Sequence, residues 1–307
     1  MHLPETWNLK PVKPKMLSIL IPIYNFDVRQ LVGDLHQQCE LAGVGYEIVC
    51  FDDGSTTEFK LKNRAIWKLS NLLYQEVPQN MGRSAIRNAL GKAARFDQLL
   101  FMDCDSRVVS PDFIQKYLSH AAPDRLVYGG RCYADTLPAD TALRFHWLYG
   151  REREQRTAAE RSRAPYHSFM TNNFLIPKNL FLDILFDETL RQYGHEDTLF
   201  GMELAKRQVP ILHIDNPLEH IGLEPVSVFL AKTEQGIENL VRLTHDGTPI
   251  NTRLLTAYKH YPKWILFVLK KISPLFKSLI TKQLNSKTPF LLLFDLLKLS
   301  ELSRRML

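Results

Sequence analysis

The sequence lacks an apolar run of the roughly 18–20 residues that a membrane-crossing helix needs, and it has four cysteines among 307 residues. None of the cysteines forms a C-x-x-C pair, a pattern that favours buried, reduced thiols in a cytoplasmic protein. It has no internal repeat, and residues 1–15 are polar with three prolines, unlike a secretory signal. These absences exclude a membrane-spanning protein, a collagen-like fibre and a small disulfide scaffold.

The composition, with 45% hydrophobic and 23% charged residues, is typical of a folded globular protein. Its net charge of +6 is unevenly distributed. Residues 259–307 carry ten Lys and Arg against Asp295 and Glu301, a net charge of +8, whereas residues 1–258 carry −2. Any argument for an anionic partner therefore applies to the C-terminal segment.

Short apolar segments alternate with helical patterns along the first part of the chain. Strands are predicted at 16–24, 46–51, 72–77 and 98–102, and a further strand at 126–133. This alternation predicts an α/β fold with a parallel sheet and helices on both faces. Because ligands bind at the carboxyl ends of the strands in such sheets, the polar residues there are the first candidates for a site.

Two aspartates, Asp103 and Asp105, follow the fourth predicted strand. Residues i and i+2 of a strand point to the same side, so the two carboxylates can share a hard cation such as Mg²⁺ or Mn²⁺. Proteins usually hold Mg²⁺ with one or two carboxylates and substrate phosphates, which suits a nucleotide substrate. The alternative is that Asp105 or Ser106 only caps a turn.

Two other acidic pairs are candidates. Asp52 and Asp53 follow the second predicted strand, where a carboxylate can accept the N–H of a nucleobase such as uracil, although Asp-Gly-Ser is also turn chemistry. Glu196 and Asp197 begin a predicted helix, where acidic residues are favoured by the helix dipole alone. The functional interpretation of the second pair is a general base beside the substrate.

Six motifs occur in a fixed order along the chain: P-I-Y-N, D-D-G-S, G-R-S-A-I-R-N, D-C-D-S, T-N-N-F and G-H-E-D. In this order and spacing, the chain resembles a family 2 glycosyltransferase of the inverting, bacterial type with the GT-A fold, from Leu17 to about His220. The resemblance implies a mostly parallel sheet flanked by helices, with a Rossmann-like nucleotide-binding half, an acceptor-binding half and a C-terminal helical appendage. It also implies a metal-dependent enzyme.

The resemblance implies a role for each matching residue. The residues expected to bind the nucleotide donor are Pro22, Tyr24, Asn25, Asp52, Asp53, Arg83, Arg87 and Asp103. The expected ligands of Mn²⁺ or Mg²⁺ are Asp103, Asp105 and His220, although a histidine in a packing role is an equal alternative for His220. The expected catalytic residues are Asp197, as the base, and Glu196. The residues expected to contact the acceptor are Thr171, Asn172 and Asn173.

The chemistry of sugar transfer agrees with these roles. A departing diphosphate gathers negative charge, which a cation and an arginine neutralise, and the acceptor hydroxyl needs a carboxylate to take its proton. A single base opposite the leaving group predicts inversion. The expected function is transfer from a nucleoside-diphosphate sugar, by preference a UDP-sugar, to a glycan or lipid-linked acceptor in cell-surface polysaccharide synthesis. A catalytically silent nucleotide-sugar-binding or scaffold subunit and a nucleotidyltransferase are the alternatives.

The expected domain organisation is a polar N-terminal lead at 1–15, a glycosyltransferase domain at 16–258 and a basic amphipathic helical tail at 259–307. Within the domain, residues 16–110 are expected to bind the nucleotide and 111–225 to hold the acceptor and catalytic groups. The tail is typical of a segment in the interface of an anionic membrane, and a helix packed on protein is the alternative. We expect a cytoplasmic protein, peripheral on the inner face of the cytoplasmic membrane, that binds no nucleic acid.

Overall fold

The computed structural model describes residues 16–190 and 193–307, so the predicted N-terminal lead lies outside the described residues. The strands are β1 Met16–Ile23, β2 Gly45–Asp52, β3 Leu72–Glu76, β4 Gln98–Met102, β5 Ser106–Val108, β6 Leu126–Tyr128, β7 Arg131–Cys132, β8 Asn173–Pro177, β9 Ile211–His213 and β10 Leu218–His220. The helices are α1 Arg29–Ala42, α2 Thr57–Asn63, α3 Arg83–Ala93, α4 Phe113–His120, α5 Thr141–Tyr149, α6 Ala158–Ser162, α7 Lys178–Ile184, α8 Glu196–Lys206, α9 Val226–His245, α10 Arg253–His260, α11 Lys263–Leu284 and α12 Leu291–Met306.

A seven-stranded sheet in the order β3-β2-β1-β4-β8-β6-β9 forms the centre of the molecule. Strand β1 pairs in parallel with β2 and β4, and β2 pairs in parallel with β3. Strand β8 runs antiparallel to both β4 and β6. The predicted α/β fold, with a mostly parallel sheet flanked by helices and a C-terminal helical region, is therefore confirmed.

Both faces of this sheet are buried, which explains why its strands read as continuous apolar runs. Successive side chains of a strand point to opposite faces of the sheet. Along β1, Ile19 accordingly belongs to the core layer on one face and Leu20 to the core layer on the other. On the second face α3 approaches α7 closely. A Cβ atom at Gly91 of α3 would lie 2.1 Å from a ring carbon of Phe181, so only glycine permits this approach.

A second, three-stranded sheet in the order β5-β10-β7 lies beside the first. The single strand predicted at 126–133 is wrong in detail, because β6 and β7 belong to different sheets. The chain turns between them at Gly130, whose φ of +94° favours glycine. The small sheet places His220 of β10 opposite Ser106 of β5, next to the end of β4. Two distant segments of the chain therefore meet at one edge.

The helices that follow β10 form a C-terminal layer. Leu240 of α9, Leu255 of α10 and Leu302 of α12 share one buried cluster, and Phe294 of α12 packs against Phe145 of α5. Helix α12 therefore packs on protein along one face, as the alternative to membrane binding predicted for the tail. In contrast, α11 leaves several large apolar side chains exposed. Across residues 16–190 and 193–307, no helix combines the length and apolar character required to cross a membrane.

Candidate active site

The loops that follow β1 and β2 are joined through Asn25. Its backbone N–H donates to Ser55 Oγ at 2.8 Å, and its side-chain Oδ1 accepts from the backbone N–H of Thr56 at 2.8 Å. Asn25 has a φ of +49°, a conformation that asparagine tolerates better than most residues. The neighbouring Tyr24 is 54% exposed, so its ring is accessible at this edge. The residues predicted to surround the nucleobase therefore lie together at the strand ends.

Asp52 and Asp53 both support the local backbone. The carboxylate of Asp52 accepts from the N–H of Ser55 at 2.8 Å and closes its own turn. The carboxylate of Asp53 accepts from the N–H groups of Met81 at 2.6 Å and Gly82 at 3.2 Å, which fixes the loop that opens α3. Burial raises the pKa of Asp53 above its usual value. The nucleobase role of this pair stays a prediction.

The carboxylate of Asp103 is held between two arginines. Arg87 of α3 donates to Oδ1 at 2.6 Å, and Arg131 of β7 donates to Oδ2 at 3.2 Å. Arg131 also donates to Glu154 at 3.1 Å, and Tyr133 donates to the same glutamate oxygen. Sequence reasoning missed Arg131 and Glu154, because no local motif marks either residue. Arg131 reaches Asp103 from β7 of the second sheet, and Glu154 reaches the site through Arg131.

Asp105 and His220 are brought together by the pairing of β5 with β10. The Nδ1 atom of His220 lies 3.4 Å from Oδ1 of Asp105. That oxygen and both ring nitrogens of His220 are buried and have no hydrogen-bond partner among the described residues. Burial raises the pKa of Asp105, but His220 and Arg131 outweigh this effect and hold it well below the usual value. Buried polar atoms without a hydrogen-bond partner are rare in proteins, and a bound ion or water is one explanation for them.

The three predicted metal ligands are not all in one group. In the part of the chain that the structure describes, no three His, Cys, Asp or Glu side chains are arranged to hold a metal ion. Asp105 and His220 lie together, whereas Asp103 is paired with Arg87 and Arg131. The third ligand position therefore stays a prediction.

Glu196 and Asp197 begin α8 after a sharp turn. Gly194 and His195 take φ values of +106° and +74°. One oxygen of Glu196 accepts from the N–H of Gly194 at 3.1 Å, and the other lies 3.5 Å from Nη1 of Arg83. Burial, together with the charge of Glu196, raises the pKa of Asp197 to about 6. A carboxyl with a pKa near 6 suits a general base at neutral pH, and the catalytic role of Asp197 stays a prediction.

The three residues of the T-N-N motif differ in accessibility to a ligand. Thr171 and Asn172 line a cavity beside Asp197. Asn173 has no exposed surface, and its side chain accepts from Tyr117 at 2.7 Å and donates to the carbonyl of Asn216 at 2.9 Å. This packing argues against the predicted contact between Asn173 and an acceptor, because the amide is already occupied inside the core.

Two adjoining cavities open at the carboxyl ends of the strands. The first, of about 190 Å³, contains Asp105 and His220 and is called the ligand cavity. The second, of about 340 Å³, contains Glu196 and Asp197 and is called the base cavity. The residues that line both are Arg83, Asp103, Arg131, Tyr149, Glu154, Tyr193, Lys232, Thr233 and Lys298. The predicted metal ligands and the predicted base therefore share one connected space.

A family model described as glycosyl transferase family 2 matches residues 18–181, more than half of the chain. The chain belongs to glycosyl transferase family 2. The matched range includes the loops after β1 and β2 and the D-x-D segment at Asp103 and Asp105. Glu196, Asp197 and His220 lie beyond it, so their positions are known from the fold alone. No curated protein matches the chain.

This family 2 glycosyltransferase resembles several solved structures. The mannosyltransferase PcManGT of Pyrobaculum calidifontis, in complex with GDP-Man and Mn²⁺, is 13% identical with a TM-score of 0.55, over 79% of this chain and 68% of that one. Glucosyl-3-phosphoglycerate synthase of Mycobacterium tuberculosis, in complex with Mn²⁺, UDP and glucosyl-3-phosphoglycerate, is 17% identical with a TM-score of 0.50, over 76% and 81%. TarS of S. aureus is 18% identical with a TM-score of 0.48, over 74% and 43%. The chain thus spans less than half of TarS. The likenesses to PcManGT and to glucosyl-3-phosphoglycerate synthase establish the fold alone.

Proposed function

We propose that the protein transfers a sugar from a nucleoside diphosphate, by preference a uridine nucleotide, to a hydroxyl of a glycan or lipid-linked acceptor. The transfer proceeds with inversion and belongs to cell-surface polysaccharide synthesis. The observation that carries this proposal is the connected pair of cavities, which joins the D-x-D carboxylates to the half-buried Asp197. The two solved structures with the higher TM-scores, PcManGT and glucosyl-3-phosphoglycerate synthase, contain GDP-Man and UDP, respectively, and support a nucleotide ligand at this edge.

The residues of the ligand cavity fit a divalent cation, Mn²⁺ or Mg²⁺. The buried, unpartnered atoms of Asp105 and His220 are a carboxylate oxygen and imidazole nitrogens, which are ligands suited to Mn²⁺. Asp103 is the further expected ligand, and both of those solved structures contain Mn²⁺. A cation bound there supplies positive charge to a leaving diphosphate.

The chain's own residues supply the remaining functions. Arg83 lines both cavities, and its guanidinium lies 4.5 Å from the ring centroid of Tyr193, which fixes its position for contact with donor phosphates. Arg87 and Arg131 fix the orientation of Asp103. Asp197 accepts the proton of the attacking hydroxyl. Because this scheme uses one base and no covalent intermediate, it predicts inversion at the anomeric carbon.

A nucleotide screen tests the proposal. At a fixed UDP concentration of about 100 times the Kd measured with Mn²⁺, UDP is expected to stabilise the protein by about 2.7 kcal/mol, and by less when Mn²⁺ is absent. The measurement is thermal unfolding with UDP, GDP, TDP and their sugar conjugates, each with and without Mn²⁺. If the stabilisation of the protein by these nucleotides is unchanged by Mn²⁺ or Mg²⁺ in every case, the proposal is wrong. Pyrophosphate release from a nucleoside triphosphate would instead indicate a nucleotidyltransferase.

We further propose that α11 and the start of α12 bind the inner face of the cytoplasmic membrane. Exposed apolar side chains of Trp264, Phe267, Leu279, Phe290 and Leu292 lie along this helical pair. The exposed lysines of the same segment are Lys263, Lys271, Lys282 and Lys287. Aromatic and aliphatic side chains with adjacent lysines suit a surface of anionic lipid.

The double variant Trp264→Ala/Phe267→Ala is expected to weaken binding to vesicles that contain phosphatidylglycerol by at least about tenfold, because each large apolar side chain contributes about 1.5–3 kcal/mol when fully buried. Sedimentation with vesicles measures the effect. The double variant Leu41→Ala/Leu61→Ala is the matched control, since these exposed side chains lie on α1 and α2. Equal sedimentation of the test variant and the wild type would contradict membrane binding.

A further inference from the structure

The outer wall of both cavities is formed by the C-terminal helices. Lys232 and Thr233 of α9 and Lys298 of α12 line the ligand cavity and the base cavity alike. All three residues lie beyond residue 181, where the family match ends. These residues and Asp197 line the same base cavity, so their chemistry bears on the substrate that brings the hydroxyl.

Lys298 presents a positive charge that its neighbours do not cancel. Its Nζ lies 2.9 Å from one oxygen of Asp295, and the other oxygen of Asp295 accepts from Arg153 at 2.9 Å. These three groups carry a net charge of +1. The ammonium also lies 4.5 Å from the ring centroid of Phe294 and 5.8 Å from that of Tyr149. Packing therefore holds the cation in a defined place on the cavity wall.

Lys232 holds a second ammonium group on the same wall. It donates to Glu224 and lies 5.3 Å from the ring centroid of Tyr193. An ammonium group has three N–H donors, so one bond to Glu224 leaves capacity for an anion. Lys232 and Lys298 come from different helices, and each is fixed by an acidic and an aromatic neighbour. A phosphate has enough acceptor oxygens to bind both.

We propose that Lys232 and Lys298 bind a phosphate group of the acceptor and thereby place its hydroxyl at Asp197. This inference rests on the proposed function and names the acceptor class, a phosphate-bearing molecule. The donor diphosphate is assigned to Asp105, His220 and Arg83, at the sheet edge. The base cavity is also lined by the apolar side chains of Ile237, Leu240 and Leu254, which suits an organic group attached to the phosphate.

The test measures phosphate binding by the full chain at saturating UDP and Mn²⁺, with glycerol phosphate and monomeric short-chain phosphatidic acid as probes. Lys298→Gln and Lys232→Gln are each expected to lower probe affinity at least tenfold, with UDP affinity unchanged. Lys206→Gln is the matched control, because this exposed lysine of α8 pairs with Glu203 as Lys298 pairs with Asp295, and it lies outside both cavities. Preference for phosphatidic acid over glycerol phosphate indicates a lipid phosphate, and the opposite preference indicates a soluble one.

Two results would overturn the inference. One is equal affinity of both probes for the wild type and the two lysine variants. The other is a parallel loss of UDP affinity, because the lysines would then serve the donor diphosphate. If the wild type binds no UDP at all, the proposed function fails, and the same titration without nucleotide still decides whether Lys232 and Lys298 bind phosphate.

Discussion

Replacing Asp197 by Asn is expected to lower the rate of sugar transfer by about 10²–10⁴-fold, the usual contribution of a general base. Asparagine keeps the shape of the side chain but cannot accept the proton of the acceptor hydroxyl. UDP affinity should stay within about twofold, since Asp197 lines the base cavity and not the ligand cavity. The measurement is release of UDP from the donor that the nucleotide screen identifies, together with UDP titration.

Two further readouts separate a chemical role of Asp197 from a structural one. Because its pKa is raised to about 6, wild-type activity should rise with pH through about 6, and this rise should be absent in the variant. A carboxyl whose pKa is higher in the folded than in the unfolded protein lowers stability at higher pH, so Asp197→Asn should keep or raise Tm at pH 8. The exposed Asp187→Asn is the control. Wild-type turnover in Asp197→Asn would show that another group is the base.

Replacing Asp105 by Asn is expected to abolish the effect of Mn²⁺ on UDP binding, with a loss of about 100-fold in UDP affinity at saturating Mn²⁺. Mutating a residue that only supports a metal ligand already lowers the affinity for the metal by about 10–100-fold. The lowered pKa of Asp105 indicates an ionised carboxylate, and its neighbour His220 has two unpartnered ring nitrogens. Calorimetric titration of UDP with Mn²⁺, and again with a chelator, measures the difference.

Asp112→Asn is the matched control for Asp105, because Asp112 precedes α4 and pairs with Lys116 at the surface. It should keep the full Mn²⁺ effect. Retention of that effect in Asp105→Asn would rule out this carboxylate as a ligand and leave Asp105 as a structural partner of His220. Asp103→Asn is less informative, because it also leaves Arg87 and Arg131 without their shared carboxylate.

The parts of the fold that depend on local sequence were predictable. Strand β1 is buried on both faces, so its apolar run identified it directly, and the polar residues after β1, β2 and β4 marked the functional edge. The break at Gly130 was missed, because an apolar segment does not reveal that its two halves join different sheets. Asn173 was assigned to the acceptor because an amide suits sugar hydroxyls, but tertiary packing uses it in the core.

The residues that sequence reasoning missed all reach the site through long-range packing. Arg131 contacts Asp103 only because β7 and β10 pair, and Glu154 faces the site from a single turn of π-helix at 150–154. Lys232 and Lys298 come from helices whose periodicity shows which residues share a face. That periodicity does not show which neighbour the face meets. The same limit explains why one face of α12 packs on protein although the segment was predicted to bind a membrane.

Helix α12 carries Leu292 at its exposed N-terminal end and Lys298 on the cavity wall six positions later. With a rise of 1.5 Å per residue, the two positions are separated by about 9 Å along the helix axis. If the exposed end rests in lipid, this short, rigid span keeps Lys298 within about 9 Å of the lipid along the helix axis. We would then expect Asp197, the proposed base, to act on acceptor hydroxyls close to the lipid surface and not on hydroxyls far along a glycan.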